Sequence, residues 1–252
     1  MKELNLRELL DLAGEHHPEL DPLIQEVRGQ LDEVETMQPR PDQRVLAVQE
    51  GVAALTQAIH ASLAQSNSVV ICVAGPTGSG KTSVIAEKLA AEVSDSLILS
   101  TDHFYTGDKA MIAASVPNWD HPAAVDLDSA NRVIMELAAG RKAEAPVYSK
   151  TTHEPDGTQW IDPQRLIIVE GLFVLDGRIQ ASPGMGVYVH VPFLECMRRR
   201  VRRDVLENKL AGRTLETELK YLWETVRRMH YEHVKPTAES AAWIITNDSA
   251  RV

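Results

Sequence analysis

The residues Gly75-Pro76-Thr77-Gly78-Ser79-Gly80-Lys81-Thr82 fit the pattern G-x-x-x-x-G-K-S/T, a spacing suited to phosphate. The glycines let the backbone curl until successive N–H groups point inward as an anion nest. Lys81 adds a positive charge where β- and γ-phosphates would lie, and the Thr82 hydroxyl can ligate magnesium. A helix opening at Lys81, with Ser83 in its first turn, turns its positive end to the same phosphates. As a string the motif also occurs by chance. Here an unbroken apolar run, Val69-Val70-Ile71-Cys72-Val73-Ala74, leads into it and a helical pattern follows. That context predicts a nucleotide cradle made by Gly75, Pro76, Thr77, Gly78, Ser79, Gly80, Lys81, Thr82 and Ser83.

Two carboxylates stand at the ends of other apolar runs. In Leu166-Ile167-Ile168-Val169-Glu170-Gly171, Glu170 ends a strand and either supports the magnesium shell or faces solvent. In Leu99-Ser100-Thr101-Asp102, Asp102 falls at a carboxyl strand end, where ligands gather in open α/β sheets. Taken alone it reads as the acceptor of a proton from an attacking hydroxyl, as a helix cap, or as an outer-sphere magnesium group. The N-K-x-D base-recognition motif of GTPases is absent.

A sheet must bring these groups together. Apolar runs recur at Leu97-Ile98-Leu99, Leu166 to Val169, Val187 to Val191 and Trp243-Ile244-Ile245. Helical patterns lie between most of them, at Lys81 to Glu92, Ser129 to Ala139, Leu194 to Leu210 and Thr214 to His233. Strands apolar on both faces are covered on both faces, so the alternation predicts an α/β, three-layer fold with a mainly parallel five-stranded sheet. Residues 67–252 read as the catalytic domain and residues 1–66 as a helical extension without a strand. Within the extension, Leu4 to Leu12 and Leu20 to Met37 suggest two helices. A third is expected to be capped by Asp42 and to carry Val45, Val48, Val52, Leu55, Ile59 and Leu63 as one apolar stripe. Glu15-His16-His17 has no third ligand beside it and reads as a solvated turn.

The chain has 26 basic and 36 acidic residues and a formal charge of −10, a poor balance for nucleic acid, so none is expected as a partner. Five arginines nevertheless fall within Arg198 to Arg203. On a helix, Arg199 and Arg200 lie four and three positions from Arg203, so one face can aim at a phosphate, be solvated, or form a basic patch. The apolar runs are too short for a membrane, and the opening Met1-Lys2-Glu3-Leu4-Asn5 has no apolar signal core. Two distant cysteines, Cys72 and Cys196, fit a reducing cytoplasm better than a disulfide framework.

Motifs in consistent order over residues 69–247 resemble the uridine kinase and phosphoribulokinase family of P-loop kinases. Ser100-Thr101-Asp102-His103-Phe104-Tyr105 is similar to the family's S-x-D-x-F-Y, which implies Asp102 as catalytic base with Tyr105 beside the acceptor. Asn118-Trp119-Asp120-His121-Pro122-Ala123-Ala124-Val125-Asp126 resembles N-F-D-H-P-D-A-F-D, implying that Asp120 contacts sugar hydroxyls. Pro146-Val147-Tyr148 followed by His153 is similar to a P-x-Y…H hairpin enclosing the base, expected here to turn at Glu154-Pro155-Asp156-Gly157. Val169-Glu170-Gly171-Leu172 resembles E-G-I/L, with Glu170 near magnesium. Arg199-Arg200-Val201-Arg202-Arg203-Asp204 and Gly212-Arg213-Thr214-Leu215-Glu216 resemble R-R-x-x-R-D and G-R-D-L-E. They imply a lid over about residues 198–213 whose Arg200, Arg203 and Arg213 neutralise phosphate and hold substrate.

The resemblance implies a nucleoside-kinase-like P-loop fold, ATP and Mg2+ as cofactors, and a small-molecule acceptor, foremost the 5'-hydroxyl of uridine or cytidine. Other readings are a kinase of a sugar phosphate, pantothenate or glycerate, a nucleotide-binding regulator without transfer activity, and a nucleic-acid-associated NTPase. Ser149-Lys150 stands where the nucleoside kinases carry D-F, and Tyr221 where a base-contacting glutamine is expected. Lys150 thus either draws an anionic acceptor or points to solvent. Self-association into a homo-oligomer stays open.

Overall fold

A computed structural model describes residues 8, 10, 21–30, 35, 37–206 and 214–247. In chain order its elements are α1 (Asp21–Gln30), β1 (Arg44–Ala47), α2 (Val48–Leu63) and β2 (Val69–Ala74). The helical stretch Lys81–Ala86 then runs into α3 (Glu87–Glu92), followed by β3 (Ser96–Ser100), α4 (Asp108–Ala113) and α5 (Leu127–Ala138). The chain continues through β4 (Ala143–Ser149), β5 (Glu154–Ile161), β6 (Leu166–Gly171) and β7 (Gly186–His190). Last come α6 (Phe193–Leu206), α7 (Leu215–Tyr221), helical turns through Ser240, and β8 (Trp243–Thr246).

The main sheet has the order β1-β8-β7-β2-β6-β3 with every pair parallel. Alternate residues of its strands feed two cores. Val69, Ile71, Val73, Leu166, Ile168, Val187 and Val189 pack with Leu55, Ile59 and Leu63 of α2 and with Leu89 of α3. Val70, Cys72, Ala74, Ile167, Val169 and Tyr188 pack with Leu127, Ala130, Ile134 and Leu137 of α5 on the other face. This is the expected three-layer arrangement, and each fully covered aliphatic side chain contributes roughly 1.5–3 kcal/mol. Both cysteines are buried and free. Among the described residues, no helix is long and apolar enough to cross a membrane.

Two expectations are corrected. The sheet has six strands rather than five, and the sixth comes from the segment expected to be helical throughout. Arg44 to Ala47 pair in register with Trp243 to Thr246, and only at Val48 does a helix begin. Asp42 pairs with Arg40 at 3.0 Å instead of capping, while the Gln43 amide donates to the Ala238 and Ala241 carbonyls at 2.7 and 2.8 Å. The free edge of β8 and the two carbonyls before it thus draw the chain out straight.

The hairpin of β4 and β5 turns at residues 150–153, not at 154–157. His153 adopts a left-handed φ of 55° and its N–H donates to the Ser149 carbonyl at 2.9 Å. Pro155-Asp156-Gly157 instead forms a bulge, with Gly157 at φ 84°, because a bulge asks for the same left-handed residue as a turn.

A third apolar cluster joins the N-terminal segment to the helices after β7. Leu10, Ile24 and Val27 pack with Phe193, Met197 and Val201 of α6 and with Leu219, Leu222 and Trp223. Other parts of the N-terminal readings, including Leu4, Leu6, Leu9, Leu12 and Glu15-His16-His17, lie outside the described residues.

Candidate active site

The chain places β3 and β6 on one side of β2 and β7 and β8 on the other. The crevice at the carboxyl ends of the strands therefore opens at β2, where residues 75–80 sit. Gly80, at φ 89°, starts the helical stretch from Lys81, and the Lys81 ammonium reaches back to the Pro76 carbonyl at 3.1 Å. The Ser79 hydroxyl is buried inside the loop with no protein partner. Thr82 and Ser83 are exposed at its mouth. Glu170 is buried at the end of β6 opposite Val73, one step before the Gly171–Ala74 pair that borders the loop. The open backbone nest, the lysine and these oxygen donors fit a triphosphate with a hard divalent ion such as magnesium.

The loop is braced from outside by Asn247. Its amide donates to the Ser79 carbonyl at 2.8 Å, its N–H donates to the His190 carbonyl at 3.0 Å, and its own carbonyl accepts from Arg199 at 2.9 Å. The first turn of α6 also abuts the loop. Gly78 has φ 77°, and a Cβ there would lie 2.7 Å from the Cys196 carbonyl oxygen. Gly78→Ala is expected to raise the dissociation constant for ATP about tenfold or more, since the left-handed backbone alone costs about 1–2 kcal/mol. Titration of ATP into the folded variant measures it, and an unchanged constant would show that the loop tolerates the methyl group.

Asp102 lies in a short turn after β3, half exposed. Ser100, not Asp102, caps this turn by accepting from the Asp102 N–H at 3.3 Å, so the helix-cap reading of Asp102 is set aside. Ser100 pairs with Glu170, itself paired with Val73, so Asp102 lies two strand spacings, roughly 10 Å, across from the cradle side of β2. The Lys150 ammonium, from the hairpin turn, stands 3.5 Å from the Asp102 carboxylate.

Beside Asp102 four rings form a box. Tyr105 lies 5.3 Å from Trp119 and 5.6 Å from Tyr148, and Trp119 lies 6.0 Å from Tyr148 and 5.8 Å from His153. Asp108 steadies His153 at 3.6 Å. Asp120 is buried next to Trp119 and accepts from the Tyr221 hydroxyl at 2.6 Å. Burial, then the Asp102 and Asp120 charges, holds the Tyr105 phenol well above its ordinary value. Burial, with the acids Asp108, Glu154 and Asp102, pushes Tyr148 up to about 12. Tyr221 is raised by burial and by Asp120. All three phenols therefore stay protonated near neutrality.

The arginines do not form one open face. Arg199 binds Glu195 at 2.6 Å, and Arg203 binds Asp204 at 2.8 Å. Arg200 lies 3.2 Å from the fully buried Glu218 and 3.6 Å from Asp204, with its guanidinium 5.8 Å over the Tyr221 ring. Burial would lower the Arg200 pKa, but Asp120, Glu218, Tyr221 and Asp204 outweigh it and raise it, so the cation persists. Arg213 lies outside the described residues. The residues brought together are thus Asp102, Tyr105, Asp120, Tyr148, His153 and Arg200, while Arg203 is turned to its neighbour Asp204. Lys150 and Tyr221, singled out in the sequence as departures from the family pattern, pair with Asp102 and Asp120 here. Trp119 and Asn247 join the site beyond those given a role from sequence. Only Trp119, an aromatic next to Asp120, carries a local signal.

A parallel sheet with a strand–loop–helix phosphate cradle and an acidic acceptor side defines a P-loop phosphotransferase. Residues 70–251 match the Phosphoribulokinase / Uridine kinase family, and the chain belongs to it. It is 35% identical over 186 residues to a uridine kinase of Vibrio cholerae, covering 70% of this chain and 86% of that one. It is 34% identical over 185 residues to a uridine kinase of Brevibacillus brevis, covering 71% and 85%. In fold it is similar to D-glycerate 3-kinase from Cryptococcus neoformans, with a TM-score of 0.56, 17% identity, and coverage of 79% of this chain and 95% of that one. The protein is an ATP-dependent kinase.

Proposed function

We propose that the protein transfers the γ-phosphate of ATP to the 5'-hydroxyl of a pyrimidine nucleoside, uridine or cytidine. The observation that carries this reading is the box of Tyr105, Trp119, Tyr148 and His153 between two carboxylates, Asp102 and Asp120. A wall of aromatic rings in edge contact offers surface on which a planar base can stack, and carboxylates suit hydroxyl donors. Lys150 does not extend the wall, since it pairs with Asp102, and Trp119 supplies aromatic surface instead.

In this reading Asp102 accepts the proton of the 5'-hydroxyl as its oxygen bonds to the γ-phosphorus. The bond from that phosphorus to the bridging oxygen breaks, and ADP keeps the electron pair. Lys81, the loop N–H groups and the start of the helical stretch from Lys81 face the charge gathering on the leaving side. Thr82 and Glu170 would hold magnesium, which when bound offsets phosphate charge. Asp120 accepts from a ribose hydroxyl, and Arg200 keeps that buried carboxylate compensated. Lys150 moves off Asp102 when the acceptor enters.

An ATP-consumption screen over nucleosides, pantothenate, glycerate and sugar phosphates tests the assignment. Turnover with uridine or cytidine above the rest is expected, and turnover only with an anionic sugar or acid would overturn it. Tyr221 has a measurable part in it, because its hydroxyl occupies the Asp120 oxygen a second sugar hydroxyl would use. Tyr221→Phe is expected to sharpen the preference for uridine over 2'-deoxyuridine by about tenfold, the worth of one buried hydrogen bond to a charged group. An unchanged ratio of kcat/KM values would remove Tyr221 from acceptor recognition.

A further inference from the structure

Glu35 lies outside the family-matched residues 70–251, yet its side chain is 13% exposed and meets four groups from two later parts of the chain. Its carboxylate accepts from the Phe193 N–H at 2.8 Å, from the Tyr231 hydroxyl at 3.0 Å and from the Lys235 ammonium at 2.8 Å. His230 stands 3.9 Å away, its ring stacked on Phe193 at 5.5 Å. Burial would raise the Glu35 carboxyl, but His230, Lys235 and the Phe193 N–H outweigh it and hold it well below the usual carboxylate range.

Phe193 is the first residue of α6. Its N–H is one of the helix-end donors without an intrahelical partner, and a carboxylate is the group such an end favours. One turn on, the Cys196 carbonyl closes against Gly78. Arg199 then bonds the Asn247 carbonyl, whose side chain holds the Ser79 carbonyl. Arg200 follows and faces Glu218 and Asp120. Both the phosphate cradle and the acceptor pocket are thus read off the position of α6, and packed contacts of this kind pass on even small displacements.

We propose that Glu35 is a positioning residue, which seats the start of α6 and thereby fixes the Gly78 side of the cradle and Arg200 in the acceptor pocket. The N-terminal segment then contributes to chemistry through α6. The part concerning Arg200 rests on the function proposed above, whereas the part concerning Gly78 needs only the ATP cradle.

The test compares Glu35→Ala and Glu35→Gln in the full chain. Glutamine still accepts from the Phe193 N–H, whereas alanine leaves that donor unmet. At a temperature where thermal unfolding shows each variant folded, Glu35→Ala is expected to weaken ATP binding about tenfold. It should also lower kcat with the accepted substrate about ten- to a hundredfold, while Glu35→Gln stays within about threefold of the parent in both. Unchanged ATP affinity and kcat in folded Glu35→Ala, with only a lower melting temperature, would overturn the proposal. So would equal losses in the glutamine variant. ATP titration needs no acceptor, so a failed nucleoside screen and a failed role for Glu35 give different results.

Discussion

Lys81→Met is expected to cut turnover by about 10³-fold or more in a chain that stays folded. Removing a single neutral donor aimed at developing charge commonly costs about 10²–10³ in kcat, and here a full charge is removed. Phosphoryl transfer leaves the protein little to do but position groups and neutralise charge, which makes such a loss hard to offset elsewhere. Methionine keeps the length of the stem, so the loop loses the ammonium and its bond to the Pro76 carbonyl but little packing. Steady-state assays at saturating ATP and magnesium measure the effect. Turnover within about threefold of the parent would show that this loop is not where the donor binds.

Asp102→Asn is expected to lower kcat by about 10²- to 10⁴-fold with ATP affinity nearly unchanged. The turn that carries it is capped by Ser100, so the carboxylate is not needed to hold the backbone. Its pairing with Lys150 is largely exposed, and such pairs contribute about 0–1 kcal/mol, too little for its loss to unfold the site. What asparagine removes is the ability to take a proton. Calorimetric titration of ATP beside single-turnover rates separates the two roles. A collapse of ATP binding with kcat preserved at saturation would make Asp102 a metal or structural group.

The four central strands, β2, β6, β7 and β8, were legible in the sequence because each is an apolar run covered on both faces, and a run with no polar face has nowhere else to go. At the far edge, β3 was legible from the shorter run Leu97-Ile98-Leu99. Arg44 to Ala47 gave no such signal. As an edge strand it is largely exposed, and Val45 happens to continue the three-and-four spacing of the helix that follows. The hairpin was legible but its turn was not, since Gly157 serves a bulge with the conformation it would have lent a turn. The phosphate loop lies in one stretch and could be read whole. The acceptor side could be read only as far as single motifs reach. The bond from Tyr221 to Asp120 spans 101 positions and that from Phe193 to Glu35 spans 158. Pairs so distant leave no spacing pattern behind.

The pairing of β1 with β8 also bears on how the chain reaches its fold during synthesis. Leu46 and Thr246 are 200 positions apart, and among the described residues β8 is the only strand beside β1. At about 5–20 residues per second, β1 leaves the ribosome about 10–40 s before its partner exists. Throughout that interval the sheet can grow from β2 through β6 to β3, but its other edge stays open. Such late, long-range closure is the kind that slows folding. The strand made last is inserted between β7 and the strand made first, so the sheet is sealed in one late step and the nascent chain must keep α2 and its apolar stripe from wrong partners until then.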